Sequence, residues 1–429
     1  MVFEAEPAAA AAAAAVYGHK LSSVVPGSVT GEIGRELTGT DLAMKLHYFR
    51  GVYYFRRSEV IDALTILPLK QPMFSWLDRI FPASGRIRRS EAGRPYIKCN
   101  DCGVRIIEAK CGSTVDDWLE GKDPSKWRHL VSDKVLGPDL YFSPLLYIQF
   151  TKFKCGGMAI GFSWAHVLGD AVSATNCFNL WAQLLGKKSP SKSDNLQYPQ
   201  NTPENPVAEK SIPHSVKMVD PVGDYWLAPN SAKMATYSFQ ITEAKLNLIR
   251  SKESVRFGYF EIISALIWRN LAKIREGEEL NTVTICRNDH SSRTDESLSN
   301  EQKICSLTTD SSPAKVELSE LAMLISEKGV DETKMVESFV ESESGKPDFI
   351  IYGANLTFVD MEKIELYGLE LKGQKPVHVE YSIDGVGEAG TILVLQCGGD
   401  NKGRLVNVIL PEDEISKLRE MLKIEWGIA

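Results

Sequence analysis

Two periodicities alternate along this chain. From Leu145 the residues Leu-Leu-Tyr-Ile-Gln-Phe-Thr-Lys-Phe read as a strand, and a second strand follows the turn Cys155-Gly156-Gly157. In that second strand Met158, Ile160, Phe162 and Trp164 share one parity, and Ala159, Gly161, Ser163 and Ala165 share the other. Period two carried one step further puts His166 on the large apolar face. The pattern then turns helical: Ala174, Cys177, Phe178, Trp181 and Leu185 lie at i, i+3, i+4, i+7 and i+11, one stripe of an amphipathic helix. Asp170 stands just ahead of that stripe and is placed to cap it.

The same alternation recurs elsewhere. Ser22-Ser23-Val24-Val25-Pro26 and Val52-Tyr53-Tyr54-Phe55 suggest strands, with a helix expected around residues 58–67. Phe81-Pro82-Ala83-Ser84-Gly85-Arg86-Ile87-Arg88 reads as a turn entering a strand, and Gly93-Arg94-Pro95 as a hairpin before Tyr96-Ile97-Lys98-Cys99. The basic cluster Arg86, Arg88, Arg89 is expected at a solvated strand edge. Downstream, Met234-Ala235-Thr236-Tyr237-Ser238-Phe239 is strand-like, a helix begins near Thr242, and Ile263, Leu266, Ile267 and Leu271 mark another. Helices interleaved with strands predict a mixed α/β fold. No internal repeat is visible.

Length and composition divide this pattern. A chain of 429 residues fits two domains of about 200 residues each. The Lys, Ser, Pro and Asn-rich stretch between Gly186 and His214 reads as the crossover linker. The expected organisation is a low-complexity tail over 1–21, an N-terminal domain over 22–186, the linker over 187–214, and a C-terminal domain over 215–429. A hydrophobic share of 43% and a charged share of 24% are those of a globular protein, and a net charge of -7 argues against a nucleic-acid partner. The alanine run from Ala8 to Ala15 follows no basic start, so no secretory signal is expected, and no stretch is apolar enough to span a bilayer. Membrane contact is expected to be peripheral or through a partner. The eight cysteines are then expected to be reduced, and Cys99-x-x-Cys102 with Cys111 lacks the second ligand pair of a zinc site, so no metal is expected.

Two readings of His166 follow from the residues alone. An acyl thioester is already electrophilic, so its transfer requires chiefly that a base take the proton from the attacking hydroxyl or amine, which imidazole does near neutral pH. The other reading is a satisfied core histidine with Asp170 as a helix cap.

The wider sequence resembles the plant BAHD family of acyl-CoA-dependent acyltransferases. The resemblance rests on Phe81 to Arg88, Gly93 to Asn100, Gly103-Val104-Arg105-Ile106-Ile107-Glu108-Ala109, Pro144 to Thr151, Cys155-Gly156-Gly157, His166-Val167-Leu168-Gly169-Asp170 and Ser264-Ala265-Leu266-Ile267-Trp268-Arg269. It implies an α/β fold of two chloramphenicol-acetyltransferase-like domains with a channel between them. It further implies His166 as general base, Asp170 as a structural residue, and acyl-CoA as substrate rather than permanently bound cofactor. The family's second signature, D-F-G-W-G before Lys-Pro, is replaced here by Glu370-Leu371-Lys372-Gly373-Gln374 before Lys375-Pro376. Glu370 retains the carboxylate, and the resemblance implies a structural pair with Arg287. Ala171 stands where the family has glycine, and the glycine-rich segment expected at Leu298 to Cys305 is missing.

An altered second signature beside an intact first one resembles the eceriferum/glossy branch. That branch implies an accessory factor in very-long-chain fatty acid elongation for plant cuticular wax, at the cytosolic face of the endoplasmic reticulum. The partners it implies are the elongase condensing enzyme and a long-chain acyl-CoA. The alternatives are an active O- or N-acyltransferase using His166, and an acyl-binding protein with no elongase partner.

Overall fold

The β-rich segments of the two halves assemble into two large mixed sheets, with a three-stranded and a two-stranded antiparallel sheet beside them. A computed structural model describes residues 16–121, 125–132, 142–187, 212–222, 230–253, 256–275, 280–288, 298–343, 347–398 and 402–428. Most of the expected linker (188–211) and most of the expected tail (1–15) lie outside them.

The first sheet runs, edge to edge, through Val16–Val24, Val104–Cys111, Leu146–Phe153, Met158–Ala165, Tyr48–Phe55 and His378–Asp384. The second runs through Met234–Ile241, Arg404–Pro411, Thr391–Gln396, Leu356–Asp360, Thr282–Arg287, Lys303–Thr308 and Val330–Asp331. Each sheet mixes parallel and antiparallel pairs. Helices Ile66–Arg79 and Ala171–Leu185 cover one face of the first sheet, and Tyr259–Ile274, Leu318–Glu327 and Glu412–Trp426 contribute to the second core.

The first sheet takes its last strand from the far half of the chain. His378–Asp384 pairs antiparallel with Tyr48–Phe55, Tyr381 opposite Gly51. A side chain at Gly51 would collide with the rings of Phe162 and Tyr381, which occupy that space. The apolar cluster built on this face therefore joins residues such as Phe49, Phe162 and Phe178 to Tyr352, Tyr381 and Ile383 from the other half.

Some local expectations change. The first strand begins at Val16, ahead of the expected start at Ser22, because Val16 and Tyr17 pair with Cys111 and Lys110 across a bulge. The helix expected around 58–67 is broken: Glu59–Ala63 ends at an extended Leu64, and Ile66–Arg79 starts after Thr65. Ile61 and Leu64 are both buried. Arg86 is not at a solvated edge. It is fully buried, its guanidinium donating to the carbonyls of Gly85 (2.7 Å) and Gly103 (3.1 Å), and burial lowers its pKa to about 10.

Gly161 is forced by a contact of another kind. The carbonyl of Leu130, in the turn Lys126–Leu130 that covers the other face of the sheet, occupies the space a Cβ would need. Gly161→Ala is therefore expected to cost about 1–3 kcal/mol by overpacking. Urea unfolding should show a lowered midpoint with an unchanged slope.

Candidate functional site

The strand Met158–Ala165, buried along its whole length, delivers His166 into a single 3-10 turn, His166–Leu168. The entry is fixed by backbone: His166 N–H donates to the carbonyl of His47 (3.1 Å), and Ala165 N–H to that of Leu145 (2.9 Å). Gly169 then takes φ 151°, and a Cβ there would lie 2.9 Å from Ser299 N and 2.7 Å from Ser173 Cβ. Only glycine lets the loop from the second half approach this closely.

The imidazole of His166 has no exposed surface. Its Nε2 lies 3.0 Å from the hydroxyl of Tyr352, which donates to Gln302 Oε1 at 2.9 Å. Phe49 lies over the ring at 4.3 Å between centroids, and Nδ1 has no hydrogen-bond partner. His47 backs the cluster: its Nε2 accepts from the backbone of Ile351 (3.1 Å) and of Tyr352 (3.4 Å). Burial lowers the pKa of His47 to about 3, with the neighbouring His166 adding to the shift. Burial likewise lowers that of His166 to about 4, against the partly compensating charge of Asp170. Both rings are neutral at neutral pH.

Asp170 serves the backbone. It stands at the N-cap of Ala171–Leu185 with Oδ1 accepting from Ser173 N (3.1 Å), while Oδ2 accepts from Glu301 N (3.1 Å) in the second half. Asp170 N–H donates to Ser299 O, and Ser173 Oγ both donates to Ser299 O (2.9 Å) and accepts from Ser299 N (3.2 Å). Asn300 Nδ2 binds the carbonyl of His166 (2.9 Å) and Asp41 (2.8 Å). Arg35 bridges the carbonyls of Leu168 (3.3 Å) and Leu298 (2.9 Å). The segment 298–301, where the expected glycine-rich stretch is missing, is thus the strap that holds the His166–Asp170 loop.

The expected pair of Arg287 with Glu370 does not form. Arg287 binds Glu261 at 2.8 Å and Asp360 at 3.6 Å. The cause is register: Arg287 stands opposite Asp360 in the parallel pairing of their strands, and Glu261 lies in the first turn of the helix Tyr259–Ile274. Leu371–Gln374 closes instead as a two-residue turn with Lys372 and Gly373 at φ 48° and 90°. That turn and Glu370 line a surface depression of about 710 Å³ against Asn179, Gln183 and Gly186, at the end of Ala171–Leu185. A second depression, of about 380 Å³, is lined by residues such as Val29, Arg88 and Lys98, and His166 lines neither. Cys99, Cys102 and Cys111 are free thiols, and no group of metal-ligating side chains occurs among the described residues.

Sequence pattern found His166 and Asp170 but missed His47, Tyr352, Gln302, Asn300 and Glu301. These come from three separate stretches of chain, and no periodicity links them. The nearest signal was the departure at Leu298 to Cys305, which marked the right segment without indicating its partner.

The sequence profile of the Transferase family matches residues 20–424. Protein ECERIFERUM 26-like of Arabidopsis thaliana is 42% identical over 413 residues, covering 95% of either chain. Protein ECERIFERUM 2 of the same plant is 41% identical over 417 residues, covering 94% of this chain and 96% of its own. Among solved structures, Vinorine Synthase superposes with a TM-score of 0.69 at 16% identity, over 94% of this chain and 96% of that one. That likeness concerns the fold, which is a two-domain one.

Two outcomes are expected from this geometry. Because the folded pKa values of His47 and His166 lie below the unfolded value near 6.5, their contribution to stability is complete above that pH. It is lost as pH falls below about 6.5, through about 4 for His166 and about 3 for His47, with unfolding taking up about two protons in the upper part of that range. Denaturant titrations across this range should show the slope, and His166→Ala should remove about half of it. Asp170→Ala is expected to cost about 2–4 kcal/mol, as a lost cap together with a stranded buried N–H. A loss under about 0.5 kcal/mol in urea unfolding would contradict the strap.

Proposed function

Because this chain belongs to the Transferase family, in the eceriferum branch of the plant BAHD acyltransferases, we propose that it is an accessory factor of very-long-chain fatty acid elongation in cuticular wax formation. The observation that carries this reading is the state of His166. A general base needs its lone pair within hydrogen-bond reach of the acceptor's proton. Here Nε2 is engaged by Tyr352 and the ring is sealed from solvent.

In this reading the protein acts beside the condensing enzyme at the cytosolic face of the endoplasmic reticulum, with a long acyl chain as shared ligand. No described helix is long and apolar enough to cross a membrane, so attachment runs through the partner or the surface. The intact His166 to Asp170 loop favours a second reading, an acyl-CoA-dependent transferase that opens on binding its substrates. His166 is then the base and Asp170 the residue that holds the loop.

Co-expression with a condensing enzyme in yeast separates the two. The accessory reading expects longer fatty acids with the intact protein and an essentially unchanged chain-length profile with His166→Ala. A base contributes about 10²–10⁴-fold in rate. Loss of the longer acids with His166→Ala, at unchanged protein level, would support the transferase.

A further inference from the structure

The phenol of Tyr352 is held more tightly than packing requires. Its hydroxyl sits between His166 Nε2 (3.0 Å) and Gln302 Oε1 (2.9 Å), and its backbone N–H points to His47 Nε2 (3.4 Å). Its carbonyl accepts from Gly387 N (2.9 Å), and the next residue, Gly353 at φ 87°, crosses so close to Gly387 that no side chain fits at Gly353. Thr357 Oγ1 accepts from Gly353 N (3.1 Å). A turn determined at this many points presents one side chain in one place. That place is Nε2 of the histidine.

We propose that Tyr352 is a stopper, a positioning residue from the second half that withholds His166 from acyl-thioester chemistry. The ring fills the approach to Nε2, and the hydroxyl, whose own proton goes to Gln302, accepts from Nε2–H, so this nitrogen carries a proton and offers no lone pair. Phe49 covers one face of the imidazole, the strap at 298–301 fixes the loop, and Tyr352 covers the edge that carries Nε2. With the phenol removed, water reaches Nε2, and the ring proton moves to Nδ1. Its oxygen adds to the thioester carbonyl as Nε2 takes the proton. The C–S bond then breaks, and the departing thiolate takes that proton to leave a fatty acid and free CoA thiol.

This inference rests on the accessory reading for its premise that His166 does no chemistry in the resting protein, but its test needs no condensing enzyme. Purified Tyr352→Ala is incubated with stearoyl-CoA and thiol release is followed. The expected result is a rise of at least about tenfold over the intact protein that disappears in Tyr352→Ala/His166→Ala, since a single general base is worth about 10²–10⁴-fold. Tyr352→Leu, which removes the aromatic ring while keeping much of the core filled, should move in the same direction by less, and carries the test if the alanine protein does not fold. Carbethoxylation by diethyl pyrocarbonate, read by mass spectrometry, gives a second measure. His166 should be protected in the intact protein, while exposed His19 reacts, and should be labelled once Tyr352 is changed. Folded variants that leave His166 protected and release no more thiol would overturn the stopper while leaving the accessory reading standing. Ordinary turnover by the intact protein would overturn both.

Discussion

Everything around the histidine depends on one join: the buried loop His166–Asp170 has its polar groups satisfied by the other half of the chain. Asp170, Ser173 and the carbonyl of His166 find their partners in Ser299, Asn300 and Glu301. Unpaired, those groups would each cost on the order of 1–3 kcal/mol in a site closed to water. The loop therefore takes its form only when the second half is docked. This makes the join a condition for a defined site rather than a consequence of one.

The buried ion pair of Lys45 with Asp348 ties the same two halves, and desolvation lowers the lysine pKa despite the partner. Such a pair is weak evidence of net stability, because burial of two charges offsets most of their attraction. What it fixes is where the segment leading to Tyr352 sits. Asp348 also accepts from Val222 N at 2.8 Å, which brings in a third stretch of chain.

Legibility in the sequence followed the range of the interaction. The strand Met158–Ala165 and the helix Ala171–Leu185 were visible because each buries a face at a fixed period. The cap at Asp170 was visible because it acts over three residues. Tyr352 was not, for it is 186 residues from His166 and nothing local distinguishes it from any core tyrosine. Arg287 was assigned the wrong acid because strand register, which sets Asp360 opposite it, is a property of pairing and not of composition. Arg86 was misplaced for a related reason: carbonyls from the loop at 102–103 replace its water, and sequence does not say which loop will arrive.

The strand exchanged into the first sheet carries a consequence for biogenesis. Tyr53 meets Tyr381, its hydroxyl partner at 2.7 Å, across 328 residues of chain. At a ribosomal pace of about 5–20 residues per second, the fully buried strand Tyr48–Phe55 waits on the order of tens of seconds for the segment that completes its sheet. Throughout that interval an apolar strand has an open edge, the kind of surface that recruits other nascent chains. Synthesis of this protein thus passes through a long window in which holding chaperones, rather than its own core, must keep it soluble.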